Sequence, residues 1–179
     1  KFSKIMFRML AVVAIAAVAL ADDSKHAEDF AALRTKIQTA LSSFDPTFVQ
    51  KLQSIGQNLE LSRNQKLAQI QEAINALPAD QKEKASKFQT FGLEKEKEMV
   101  SLAKSLIPEF TAETQAVLNN IVSTYEAGAD VPTKTLFENI KSIINGASDA
   151  VKAELKAAKS GLIEKVKEFA KGMIPAASA

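Results

Sequence analysis

His26 is the single histidine of this 179-residue chain, and there is no cysteine. Without cysteine there is no thiol nucleophile, no thiolate metal site and no disulfide framework. A cation at His26 would need Asp22, Asp23 and Glu28 to converge on one imidazole. At the start of a helix these acids read instead as solvated groups favoured by the positive end of the helix dipole. Glu94, Glu96 and Glu98 alternate along a helix, so they point in different directions, and Lys95 and Lys97 neutralise the run. They read as a solvated face. The serines lack a histidine base other than His26, and no glycine-rich phosphate loop, His-Glu metal motif or nucleophile elbow occurs. The chain is expected to be a non-enzyme with no cofactor and no metal site.

The elements that would position any binding residues are helices. Pro46, Pro78, Pro108, Pro132 and Pro175 fall at breaks in the apolar pattern, where a missing N–H costs least. Ser24 is read as a cap before Phe30, Leu33, Ile37 and Leu41. Asp45-Pro46 is a cap followed by proline at the first helical position, ahead of Phe48, Leu52, Ile55 and Leu59. Ser62 with Gln65 forms a capping box before Leu67, Ile70, Ile74 and Leu77. From Asp80 to Leu106, Ala85, Phe88, Met99, Leu102 and Leu106 form a stripe that fails around Lys95, where Thr90-Phe91-Gly92 is read as a kink. Leu118, Ile121, Val122 and Tyr125 mark a helix closed by a loop through Gly128 and Pro132. Leu136, Phe137, Ile140, Ile143 and Ile144 follow, with Gly146 as a C-terminal glycine cap. Ser148 then caps a helix bearing Val151, Leu155, Ala158, Leu162, Val166, Phe169 and Met173. No segment sustains period-two alternation. The expected fold is all-α, six to seven amphipathic helices in an irregular bundle without a sheet.

Lys1, Lys4 and Arg8 precede an uncharged apolar run that ends Ala19-Leu20-Ala21, the pattern of a secretory signal peptide over residues 1–21. About 13 apolar residues are too few to span a bilayer, which takes roughly 20. The expected product is a secreted, extracellular helical domain over 22–179. Cleavage after Ala21 would leave 20 of the 23 basic residues against 21 acidic ones, net −1. That balance lacks the positive field that drives binding to nucleic acid, which is not expected as a partner. An internal repeat is read over 44–108 and 110–175. Phe44, Leu52 and Ile55 match Phe110, Leu118 and Ile121, and Ile70, Ile74 and Asn75 match Ile140, Ile144 and Asn145.

What is left for function is apolar surface, since the aromatics are ten Phe, one Tyr and no Trp. Phe48, Leu52, Ile55, Leu67, Ile70, Ile74, Phe88, Phe91, Leu118, Ile121, Phe137, Ile140, Ile144, Leu155, Leu162 and Phe169 are read as the apolar lining of a ligand site between helices. A fatty acyl chain suits such a lining. Burying about 12–15 methylenes at about 0.8 kcal/mol each gives roughly 10–12 kcal/mol before association losses. Arg63, Lys66 and Lys87 are candidates to meet a carboxylate, and nothing in the sequence selects among them. Lys152, Lys156, Lys159, Lys165, Lys167 and Lys171 against Glu154, Glu164 and Glu168 give residues 150–175 a basic face suited to an anionic membrane surface.

Ser105-Leu106-Ile107-Pro108 leads into the helix of Val117, Leu118, Ile121 and Val122, and Ala153-Glu154-Leu155-Lys156 follows later. Through these residues the chain resembles the nematode fatty-acid- and retinol-binding proteins over 80–160, and in overall plan it is similar to them in its signal peptide, lack of cysteine, Lys/Glu richness, all-helical pattern and length. That resemblance implies carriage of fatty acids and retinol in an internal cavity. Residues 44–85 also resemble the nematode SXP-type secreted antigens, through Leu52, Ile55, Leu61-Ser62, Gln65-Lys66, Ile70 and Leu77-Pro78. The second copy keeps Leu118, Ile121, Ile140 and Ile144 but has Asn145-Gly146 where Leu-Pro would be expected. This second resemblance implies a structural or host-interaction antigen, with divalent-cation binding suggested for some members. Neither resemblance transfers a named ligand residue. The leading expectation is a carrier of fatty acids or retinol. The alternatives are the SXP-type antigen and an exchangeable helix bundle that binds lipid surfaces.

Overall fold

The computed structural model describes Thr39 and residues 41–171. The signal-peptide reading, His26, the residues of the first expected helix before Thr39, and Met173 and Pro175 lie outside these residues. Among the described residues there are six α-helices and no strand, so the fold is an all-α bundle. The helices are α1 (Pro46–Gln57), α2 (Arg63–Asn75), α3 (Ala79–Leu106), α4 (Ala112–Ala127), α5 (Thr133–Gly146) and α6 (Asp149–Lys171), with 3₁₀ turns at Ile107–Glu109 and Gly128–Asp130.

Local chemistry sets most of these boundaries. Asp45 accepts from the backbone N–H groups of Thr47 at 2.8 Å and Phe48 at 3.3 Å, closing the first turn of α1 with Pro46 at its first position. The hydrogen bonds from Phe48 and Thr47 also hold the Asp45 carboxyl below its ordinary range. At α2 the capping box is complete. The Gln65 backbone N–H donates to Ser62 Oγ at 3.2 Å, and the Ser62 backbone N–H donates to Gln65 Oε1 at 2.9 Å. The backbone N–H of Val151 donates to Ser148 Oγ at 3.3 Å and starts α6.

Two expectations about glycine change. Helix α3 runs without interruption through Gly92, where a kink was expected. One helical glycine costs about 1 kcal/mol relative to alanine and does not by itself break a helix held by its neighbours. Gly146 is the last residue of α5 rather than a left-handed cap. The cap is Ala147 in extended backbone, and no described glycine has positive φ. The chain must pass straight from α5 to the Ser148 cap, and an extended Ala147 does this.

The bundle consists of two hairpins and two flanking helices. Helix α1 packs on α2 and α4 on α5, while α3 contacts α2 and α4, and α6 contacts α4. The loops within the hairpins meet in an isolated antiparallel bridge between Ser62 and Pro132. There the backbone N–H groups of Thr133 and Lys134 donate to the carbonyls of Leu61 and Leu59 at 3.1 and 2.9 Å. Asn64 Nδ2 donates to Asp130 Oδ1 at 2.7 Å beside it. Gly128 is pressed close to α5, and a Cβ there would lie 2.6 Å from Leu136 Cδ1. Ile74, Met99, Ile121 and Ile140 form the most deeply buried part of the shared core.

Helix α4 is capped by α6. Thr111 precedes α4 with no cap from its own side chain. Instead Glu154 accepts from the Thr111 backbone N–H at 3.0 Å, from the Thr111 hydroxyl at 2.7 Å and from the hydroxyl of fully buried Thr114. A carboxylate at a helix N-terminus is also favoured by the dipole. The side-chain bonds from Thr111 and Thr114, then the Thr111 backbone bond, hold the Glu154 carboxyl below its ordinary 4.5. A carboxyl depressed in the folded state stabilises the fold above its unfolded value, and that contribution is lost as pH falls through the folded value. The Glu154→Gln variant should therefore be less stable than wild type at pH 7. Thermal denaturation should show the gap closing as pH drops below about 4.5. A gap that stays constant with pH would contradict this cap.

Candidate functional site

The middle of α3 carries two adjacent charged residues that face different neighbours, because successive helical residues are about 100° apart. Glu96 lies in line with buried Ala85, Met99, Ala103 and Leu106, at spacings a helix places on one face. Its side chain is 11% exposed, so the reading of this run as wholly solvated fails at this position. Arg63, the first residue of α2, donates from Nη1 to Glu96 Oε1 at 2.8 Å, and Tyr125 of α4 donates to the same oxygen at 2.6 Å. The Arg63 guanidinium also lies 4.7 Å from the centre of the Tyr125 ring. Desolvating a carboxylate costs several kcal/mol, and it is tolerated here because a charged donor, a phenol and a cation–π contact converge on it.

This cluster binds its own members and leaves Arg63 committed. Burial works to lower the Arg63 pKa, but Tyr125 and Glu96 outweigh it and hold it above its ordinary value. Burial pushes the Tyr125 phenol well above 10, and the Glu96 charge adds to the effect against the opposing pull of Arg63. Among the described residues, no three His, Asp or Glu side chains come together as a cation site requires.

Lys95 lies about 100° around the helix from Glu96. Its ammonium lies 5.5 Å from the centre of the Phe91 ring on α3 and 6.0 Å from that of Phe169 on α6. It also donates to Glu98 at 2.6 Å. The lysine side chain is 19% exposed, half-sheltered by aromatic surface. This is where α3 and α6 bring apolar rings and a cation together.

The residues expected to line a ligand site divide by burial. Phe48, Ile74, Ile121, Ile140, Ile144 and Leu162 belong to the buried core cluster. Leu52, Ile70, Phe88, Leu118, Phe137 and Phe169 are partly buried against that cluster. Ile55 and Leu155 are buried, and Leu67 and Phe91 are half-buried. Of these, Phe91 and Phe169 share a charged partner. Lys95 was not among the basic residues singled out from the sequence. Its signal was the position four residues after Phe91, which puts both on one side of α3. The three that were singled out are otherwise placed. Arg63 is held by Glu96, Lys66 donates to the Gly56 carbonyl at 3.3 Å, and Lys87 is 76% exposed beside Glu83.

Two variants separate the parts of the Glu96 cluster. Glu96→Ala strips the acceptor from a half-buried guanidinium and a buried phenol and should cost about 2–3 kcal/mol in urea unfolding. Tyr125→Phe leaves the ion pair intact and should cost about 1 kcal/mol. Equal losses would contradict a carboxylate-centred cluster. Tyr125 is the only tyrosine in the chain, so phenolate absorbance near 295 nm reports it alone. The neutral phenol favours the fold, and that stabilisation is complete below pH 10 and fades as pH rises towards the higher folded value. In urea the phenolate should appear around pH 10, and in the native protein only at distinctly higher pH. Coincident titrations would refute its burial.

A comparison with known proteins finds no family model, no curated protein and no solved structure that matches this chain.

Proposed function

We propose that the protein is a secreted, non-enzymatic carrier of apolar ligands of the fatty acid or retinoid class, held where α3 and α6 approach. The observation that carries this reading is the convergence of Phe91 and Phe169, neither fully buried, on one sheltered ammonium. Aromatic surface left half-covered gains further free energy by enclosing a hydrocarbon chain. Phe88, one turn before Phe91, extends the same apolar strip along α3. Carriage requires no catalytic group, in keeping with a sequence that offers no nucleophile and base together. The Ala19-Leu20-Ala21 pattern supports secretion.

Titration with an environment-sensitive fluorescent fatty acid tests the reading. The expected result is a blue-shifted signal, displaced by oleate or retinol, with micromolar to submicromolar affinity on the order of what chain burial less association losses allows. Replacing Phe91 and Phe169 together by Ala should weaken binding about tenfold with helix content unchanged. Absence of any displaceable signal would refute carriage.

A further inference from the structure

We propose that Lys95 is the anchor for the ligand's carboxylate, which takes the place of the Glu98 carboxylate, so that the site selects free acids over esters and alcohols of the same chain length. This rests on the carrier reading and adds a headgroup specificity to it. Three observations carry it.

The first is shelter. The Lys95 side chain is 19% exposed, against 76%, 51% and 40% for the ion-paired lysines Lys87, Lys104 and Lys165. An ion pair with a ligand is strengthened where water is partly excluded and weakened by screening where it is not. The second is its setting. With Phe91 at 5.5 Å and Phe169 at 6.0 Å, the ammonium sits at the edge of an apolar surface, the arrangement that matches a molecule with an anionic head and a hydrocarbon tail. The third is its partner. Glu98 lies three residues along the same helix, and its side chain is 51% exposed. Glu98 is the exposed member of the pair, so an incoming carboxylate can take its place at the ammonium while Glu98 returns to water. Arg63 offers no such exchange, since the groups that hold it are 11% exposed Glu96 and buried Tyr125.

The test compares cis-parinaric acid with its methyl ester by fluorescence titration on the whole chain. Wild type should bind the acid about fivefold to tenfold more tightly than the ester, the range of a sheltered ion pair. Lys95→Met should bring the acid-to-ester affinity ratio to about one, whatever the change in ester affinity itself. Glu98→Gln, which removes the competing carboxylate, should tighten acid binding about twofold to threefold. Equal affinity for acid and ester in wild type, a preference that survives Lys95→Met, or no gain in Glu98→Gln would overturn the anchor and leave carriage standing. If neither probe binds wild type, the carrier reading itself fails and the anchor with it. Should Lys95→Met not fold, the wild-type ratio and the Glu98→Gln result decide.

Discussion

A carboxylate placed where a helix should be apolar is the constraint around which this bundle is arranged. Glu96 occupies the core-facing line of α3 between Ala85 and Met99. Its charge is tolerable there only if donors reach it from outside the helix. Those donors are Arg63, at the start of α2, and Tyr125, near the end of α4. Satisfying one oxygen therefore sets how α2 and α4 lie on α3.

The neighbouring contacts follow from that arrangement. Arg63 sits immediately after the Ser62 cap, and Ser62 is bridged to Pro132 in the opposite hairpin. The tie at Glu96 and the seam between the loops are thus two ends of one connection. Glu154 of α6 completes the start of α4, so the last helix is joined to the same hairpin by hydrogen bonds as well as by packing. With its Glu96 face closed in this way, α3 turns a different side towards α6. Phe91, Lys95 and Phe169 meet on that side.

The parts of the fold written in local chemistry were legible in the sequence. Asp45-Pro46, the Ser62 and Gln65 box and the Ser148 cap each act within one helical turn, and each appears where the residue pattern places it. The stripe on α3 was legible through Ala85, Met99 and Leu106, which are buried, but the place of Glu96 within it was not, because an apolar stripe is read by its apolar members. Its partners lie 33 residues before and 29 residues after it in the chain. No local spacing reports contacts of that range. The same limit hid the Glu154 cap, 43 residues from Thr111. Of the expected ligand-lining residues, those in the closed core and those left half-covered share the same hydropathy and period. Only packing separates Ile121 from Phe91.

The central claim is that α3 has a sealed side at Glu96 and a receptive side at Lys95. The most direct test is isotope-edited NMR of the protein with ¹³C-labelled oleate, reading which aromatic rings lie near the hydrocarbon chain. The account predicts cross-relaxation from the chain to the rings of Phe91 and Phe169 and none to Tyr125. Contacts concentrated on Tyr125, or none to any aromatic ring, would contradict it.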